Sequence, residues 1–174
     1  MIIKKLIGFN EADKRKLDEV LELRTSVTKH NEFDKELRKA FPKMREKKAD
    51  HIKRKITLDE LWYIIRWSSV IKELHLVDMD GEGGTLATEV NNIIKLDRAD
   101  FRAKSIEQLV KTIVHECLHL KPWNFHHFGN KSKSLVYMTA GIAEDMAYII
   151  TGNDKPKVKK SPWYYKLRFW RWFR

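Results

Sequence analysis

One cysteine, Cys117, is the whole thiol inventory of this chain of 174 residues, so no intrachain disulfide can form and no cysteine-based zinc cluster can be built. That absence fits a reducing compartment, and a cytoplasmic setting is expected. Long apolar runs are missing as well. The opening stretch MIIKKLIGF is interrupted by two lysines, and every other apolar run is far shorter than the ~18 residues of a membrane-spanning helix. A soluble, non-secreted protein follows as the expectation. No internal repeat is present, and 43% hydrophobic content over 174 residues is enough for one domain with a real core.

Acids are absent from the C-terminal end. From Lys155 to Arg174 the chain has eight Lys or Arg and no Asp or Glu, which leaves 27 of its 35 basic residues against 24 acidic ones in the first 154. The formal net charge of +11 is therefore a property of the tail, and the body is nearly neutral. Seven aromatics share that tail: Trp163, Tyr164, Tyr165, Phe169, Trp170, Trp172 and Phe173. Such a segment suits packing back on the domain, lying in the interface of an anionic membrane, or stacking on single-stranded nucleic acid. A nearly neutral body adds no field to extend a nucleic-acid track, so nucleic acid ranks below peripheral membrane association through residues 155–174 or contact with the domain.

Periodicity organises the rest. Leu17, Val20, Leu21, Arg24 and Val27, then Phe33, Leu37, Phe41 and Met44, recur at helical spacing and predict two amphipathic helices, the second interrupted near Pro42. Thr57 and Glu60 form a capping-box pattern ahead of a core helix in which Trp62, Tyr63 and Trp67 are read as core. KELHLVDM and TLATEVNNIIKLD flank the turn-rich DGEGG and predict two strands, paired or adjacent. Ser105 and Gln108 make a second capping box before a helix reaching about Leu120, with Pro122 beyond it. A last helix is expected from about Ser134 to Ile150, with Gly152 where a C-terminal cap belongs. The chain thus divides into a charged helical N-terminal region (1–56), a core (57–152) and a basic aromatic tail (153–174).

The core holds the chemistry. His115, Glu116 and His119 form a His-Glu-x-x-His motif, for which this composition predicts only ~0.02 chance matches. On a helix, residues four apart lie about 40° apart in rotation and about 6 Å apart along the axis, so both imidazoles can reach one metal. Glu116 is then placed to hold and deprotonate a water on that metal. The ordinary alternative is a helix with two surface histidines and an ion-paired glutamate. Cys117 points about 200° away from His115 and reads as a core thiol. His30, His51 and His75 read as ordinary histidines.

The order of strand, Gly-rich turn, strand, TIVHECLHL helix, loop and GIAEDMAYII helix resembles the small zincin metallopeptidases, in particular a minimal gluzincin. That resemblance spans about residues 57–152. It implies an α+β, zincin-like fold with a small, mostly antiparallel sheet packed by helices. It also implies a Zn2+ ion held by His115, His119 and a glutamate of the following helix, carried over to Glu144. Several gluzincins show a Glu-Gly-x-Ala-Glu pattern with the ligand just before the glycine; here that position is Ala140 and Glu144 is the later acid. HLKPWNFHHF also resembles the SprT-like metallopeptidases, which take a third histidine from the loop after the motif, so His126 and His127 are alternative third ligands. Asp145 is another. The metzincin position, ten residues after the first histidine, is Phe125.

Tyr148, one turn past Glu144, is a candidate donor to the oxyanion or to the metal-held carboxylate, with core packing as its ordinary role. The activity implied is that of a zinc metalloendopeptidase acting on peptide or protein substrates through a zinc-held water activated by Glu116. GTLATEVNNIIKLD is the candidate strand to pair with an extended substrate. The competing reading is a non-enzymatic membrane-surface or nucleic-acid binder with a structural metal site.

Overall fold

Asn10 opens the first long helix. Its side chain accepts the Asp13 N–H at 2.8 Å, and the Asp13 carboxylate accepts the Asn10 N–H at 3.3 Å, a reciprocal cap that satisfies two donors a helix start would otherwise leave bare. The computed structural model describes residues 1–41, 57–67, 70–79, 85–88, 91–120, 125 and 135–156. In chain order these form β1 (Ile2–Ile3), β2 (Leu6–Ile7), α1 (Glu11–Lys29), α2 (Asn31–Ala40), α3 (Leu58–Trp67), β3 (Val70–Ile71), β4 (Glu73–Val77), β5 (Thr85–Thr88), β6 (Ile93–Asp97), α4 (Arg98–Ala103), α5 (Ile106–His119) and α6 (Leu135–Thr151).

Both N-terminal helices fall where the periodicity places them. Leu17, Val20, Arg24 and Val27 line the buried stripe of α1, and Phe33 and Leu37 that of α2. His30 separates the two, its Nδ1 accepting the Glu32 N–H at 3.2 Å. Pro42 and Met44 lie outside the described residues. The Thr57–Glu60 box forms, at 2.8 and 3.1 Å. Tyr63 departs from expectation: it is 55% exposed, on the outer side of α3.

The sheet corrects the expected fold class. Two ladders of the four-stranded sheet β2-β4-β6-β5 are parallel, β2 with β4 and β4 with β6, and β1 also pairs parallel with β3. Among the described residues only β5 against β6 is antiparallel. Turn residues between two strand-like stretches read as a hairpin, but the hairpin here lies inside the second stretch. Asn92, with φ 55°, turns the chain in the left-handed region that asparagine tolerates. From β4 the chain passes to the far edge as β5, turns at Asn91 and Asn92, and returns as β6 between β5 and β4.

The second parallel ladder has another cause. Between β2 and β4 the chain runs through α1, α2 and α3, and a helical crossover is how a strand regains its neighbour in parallel. Gly8 lets it leave β2: with φ +80°, a Cβ there would lie 2.3 Å from the Leu76 carbonyl oxygen.

Leu74 and Leu76 of β4, Ile94 and Leu96 of β6, and the apolar side of α5 meet in one hydrophobic cluster with α1, α2 and α6. The N-terminal region and the core thus share a sheet and an interior. α5 packs most extensively on α6, and α1 crosses both. Gly152 closes α6 with φ +70°, its N–H donating to the Tyr148 carbonyl at 3.1 Å. Among the described residues no helix is long and apolar enough to cross a membrane. Of residues 155–174, which carry the membrane expectation, 157–174 lie outside the described residues.

α4 is tied to α1 by Asp13, whose carboxylate accepts from Arg102 Nε and Nη2 at 2.9 Å each. The Arg102 hydrogen bond holds the Asp13 carboxyl below its ordinary value, against the opposing effect of burial. A lowered acid stabilises the fold above its unfolded pKa, about 4, and that contribution disappears as pH falls through the folded value. Asp13→Asn is therefore expected to lose on the order of 2 kcal/mol at pH 7, with the gap to wild type narrowing below about pH 4. Urea unfolding at pH 7 and pH 3 measures it, and an equal gap at both would assign the loss to packing.

Candidate metal centre

α5 is capped at its start by Ser105 and Gln108, whose side chain and backbone bonds measure 3.1 and 3.3 Å. From there a polar stripe interrupts an otherwise apolar helix. Gln108, Lys111, Thr112, His115 and Glu116 face a cleft of about 300 Å³, closed on the other side by Tyr137 and Glu144 of α6 and at its end by Lys104. Tyr137 and Glu144 stand seven residues apart, two helical turns and nearly the same azimuth.

His115 and His119 converge. Their Nε2 atoms lie 3.3 Å apart, with ring centroids 5.0 Å apart and planes at 71°. Two nitrogens bound to one tetrahedral zinc at ~2.0–2.1 Å are ~3.3–3.4 Å apart, so the pair has ligand spacing. The tautomer suits this as well. His119 Nδ1 is hydrogen-bonded to the Phe125 carbonyl oxygen; donating there, a neutral ring presents the lone pair of Nε2 toward His115. Phe125 is buried and its own N–H donates to the Leu118 carbonyl at 2.9 Å, which fixes Phe125 against the end of α5. The Tyr137 ring packs edge-on to His115 with centroids 4.8 Å apart.

Glu116 is 5% exposed, and its Oε1 lies 3.9 Å from His115 Nε2. Burial pushes its carboxyl up to about 8, with the Lys104 ammonium opposing the shift. Raised above the ordinary carboxylate range, the group is a stronger base than a free carboxylate.

Glu144 sits in the same cleft, 7% exposed, with its Oε2 2.9 Å from Lys111 Nζ and 3.3 Å from Lys155 Nζ. Asp145 points away: it is exposed, pairs with Lys155 at 2.5 Å and does not line the cleft. The hydroxyl of Tyr148 lies 3.2 Å from Ser105 Oγ, at the start of α5 and outside the cleft lining. His126 and His127 fall outside the described residues. Among the described residues no three His, Cys, Asp or Glu side chains converge as a metal-holding group. The structure therefore brings together two imidazoles, with the Glu144 carboxylate in the same cleft but turned to two ammonium groups. Two imidazole nitrogens at ligand spacing can supply two ligands of a divalent metal, and a third is not assembled with them among the described residues.

No protein-family model, curated protein or solved structure matches this chain. The site has to be judged on its geometry.

The remaining histidines and the thiol take ordinary places. His75 pairs with Glu73 at 2.7 Å, His30 caps α2, and His51 lies outside the described residues. Cys117 is buried in the core, 3.5 Å from the Met1 sulfur. Sequence reasoning passed over Lys104, Lys111 and Tyr137. Lys111 had a signal, since it stands one turn before His115, and Tyr137 had one in its two-turn spacing from Glu144. The Phe125 carbonyl had none, because any residue could supply it.

Proposed function

We propose that this protein is a zinc-dependent peptidase, with His115, His119 and Glu144 as metal ligands and Glu116 as general base. The observation that carries the reading is the imidazole pair at 3.3 Å, with His115 and the buried Glu116 lining one cleft. Zinc held there supplies a Lewis acid that polarises a substrate carbonyl and lowers the pKa of water. Phe125 orients His119 through its Nδ1, and the Tyr137 ring restricts His115. Glu116 takes the proton of the attacking water and returns it to the departing amine nitrogen, and its shielding from solvent keeps that proton local. Lys111 and Lys155 compensate the charge of Glu144.

β5 supports a peptide substrate. Among the described residues it pairs only through β6, and it lies against α5, so its outer backbone groups can add an extended chain as one more strand. The expected strand over GTLATEVNNIIKLD is thus two strands, and the outer one is the relevant partner.

Metal removal tests the reading. Dialysis against a chelator is expected to abolish hydrolysis of a mixed-sequence peptide pool, and stoichiometric zinc to restore it. A zinc-replete protein that cleaves nothing in such a pool would sink the peptidase reading.

A further inference from the structure

We propose that residues 157–174 dock on this same chain, along the seam between α5 and α6 and over the cleft that His115 and Glu116 line. The two helices run antiparallel across that seam: Ser105 meets Tyr148, Glu107 meets Thr151, Lys111 meets Glu144 and His115 meets Tyr137. The end of α6 is therefore level with the start of α5, and the cleft lies further along the same line.

The chain leaving α6 already follows that line. Gly152, with φ +70°, ends the helix, and the Asn153 side chain donates to Glu107 Oε1 at 2.7 Å, which holds it over the seam. Lys155 then reaches back to Asp145 at 2.5 Å and to Glu144 at 3.3 Å. Glu144 is the partner of Lys111, one helical turn nearer the cleft than Glu107. Pro156 disfavours a helical turn at Lys155.

α6 has room on this path. Gly141 stands one turn before Asp145 and one turn after Tyr137, on one face of the helix. A Cβ there would meet nothing within 4 Å among the described residues. Glycine in a helix interior weakens the helix, and no described neighbour needs the space it leaves; a backbone passing over that point does. From the level of Asp145, Gly141 is about 6 Å away and Tyr137 about 12 Å, which about two and about four extended residues span. The run Lys157 to Lys160 has that length, carries three cations and no acid, and enters past the carboxylates of Glu144 and Asp145. It is tethered with its first residues seated, an advantage of effective concentration that no separate partner shares. None of this requires a metal in the cleft, so the inference stands apart from the peptidase reading.

Photolysis of full-length protein carrying p-benzoylphenylalanine in place of Gly141 tests it. At high dilution, mass spectrometry is expected to find the label joined, within one chain, to a narrow set of residues near Lys157. Moving the label to position 137 should shift the adducts further along the tail, toward Lys159 and Lys160. Lys155→Glu sets a third acid beside Glu144 and Asp145 and should lower the yield about tenfold, while Lys155→Arg should keep it. No adduct within the tail, adducts scattered along all of it, adducts that ignore the position of the label, or an equal yield in Lys155→Glu would overturn the proposal. A tail that gives no adduct and instead carries the protein to phosphatidylserine vesicles would assign the segment to a membrane.

Discussion

Glu116→Gln is expected to lower peptide hydrolysis by roughly 10³-fold while leaving zinc content near one per chain, because a general base acts in the transition state and contributes little to metal affinity. Glutamine has nearly the same volume, so a site 5% exposed can accept it without a cavity. Its amide cannot take a proton from water as a carboxylate does. Binding of substrate should persist, so the loss belongs in kcat and not in KM. A variant that retains more than about a tenth of the wild-type rate would remove Glu116 from the role of base. One that instead loses its zinc would make it a ligand.

The ligand variants carry the second large effect. Wild-type protein with zinc at a thousand times its dissociation constant gains about 4 kcal/mol of stability, since the metal binds the folded chain alone. His115→Ala and His119→Ala should abolish that gain, measured as the rise in melting temperature on adding zinc. His119→Ala should also cost stability without metal, because the Phe125 carbonyl loses its donor. Glu144→Ala is expected to lower zinc content by at least about tenfold under competition with a weak chelator. If Glu144→Ala binds zinc normally and His126→Ala does not, the third ligand is the histidine of the loop after the motif.

These effects trace to features of very different range. The helix of the motif is a local matter: Ser105 and Gln108 close a cap three residues long, and Leu109, Val110, Ile113 and Val114 supply the apolar side within the next few turns. The imidazole spacing then follows from helix geometry, so His115, Glu116 and His119 were legible as a unit. The same holds for α1, which the pattern from Leu17 to Val27 anticipated.

Strand direction was not legible, and the reason is physical. β4 and β6 each alternate buried and half-buried residues, and that alternation is the same for a parallel or an antiparallel partner. What chose the parallel arrangement lies outside the strand pattern: the long crossover through α1, α2 and α3, and the turn at Asn91 and Asn92, which converts one apparent strand into two.

The site divides along the same line. Residue types and helical spacing are written in the chain, and they determined by themselves the imidazole pair and the acid between them. The packing of α5 against α6 decided the rest. It brought Glu144 into the cleft and set its carboxylate on Lys111, put the Tyr137 ring against His115, and left Asp145 outside and Tyr148 with Ser105. Helix periodicity specifies where a side chain leaves its own axis, whereas the azimuth one helix shows another depends on the apolar contacts of both, which only the folded chain settles.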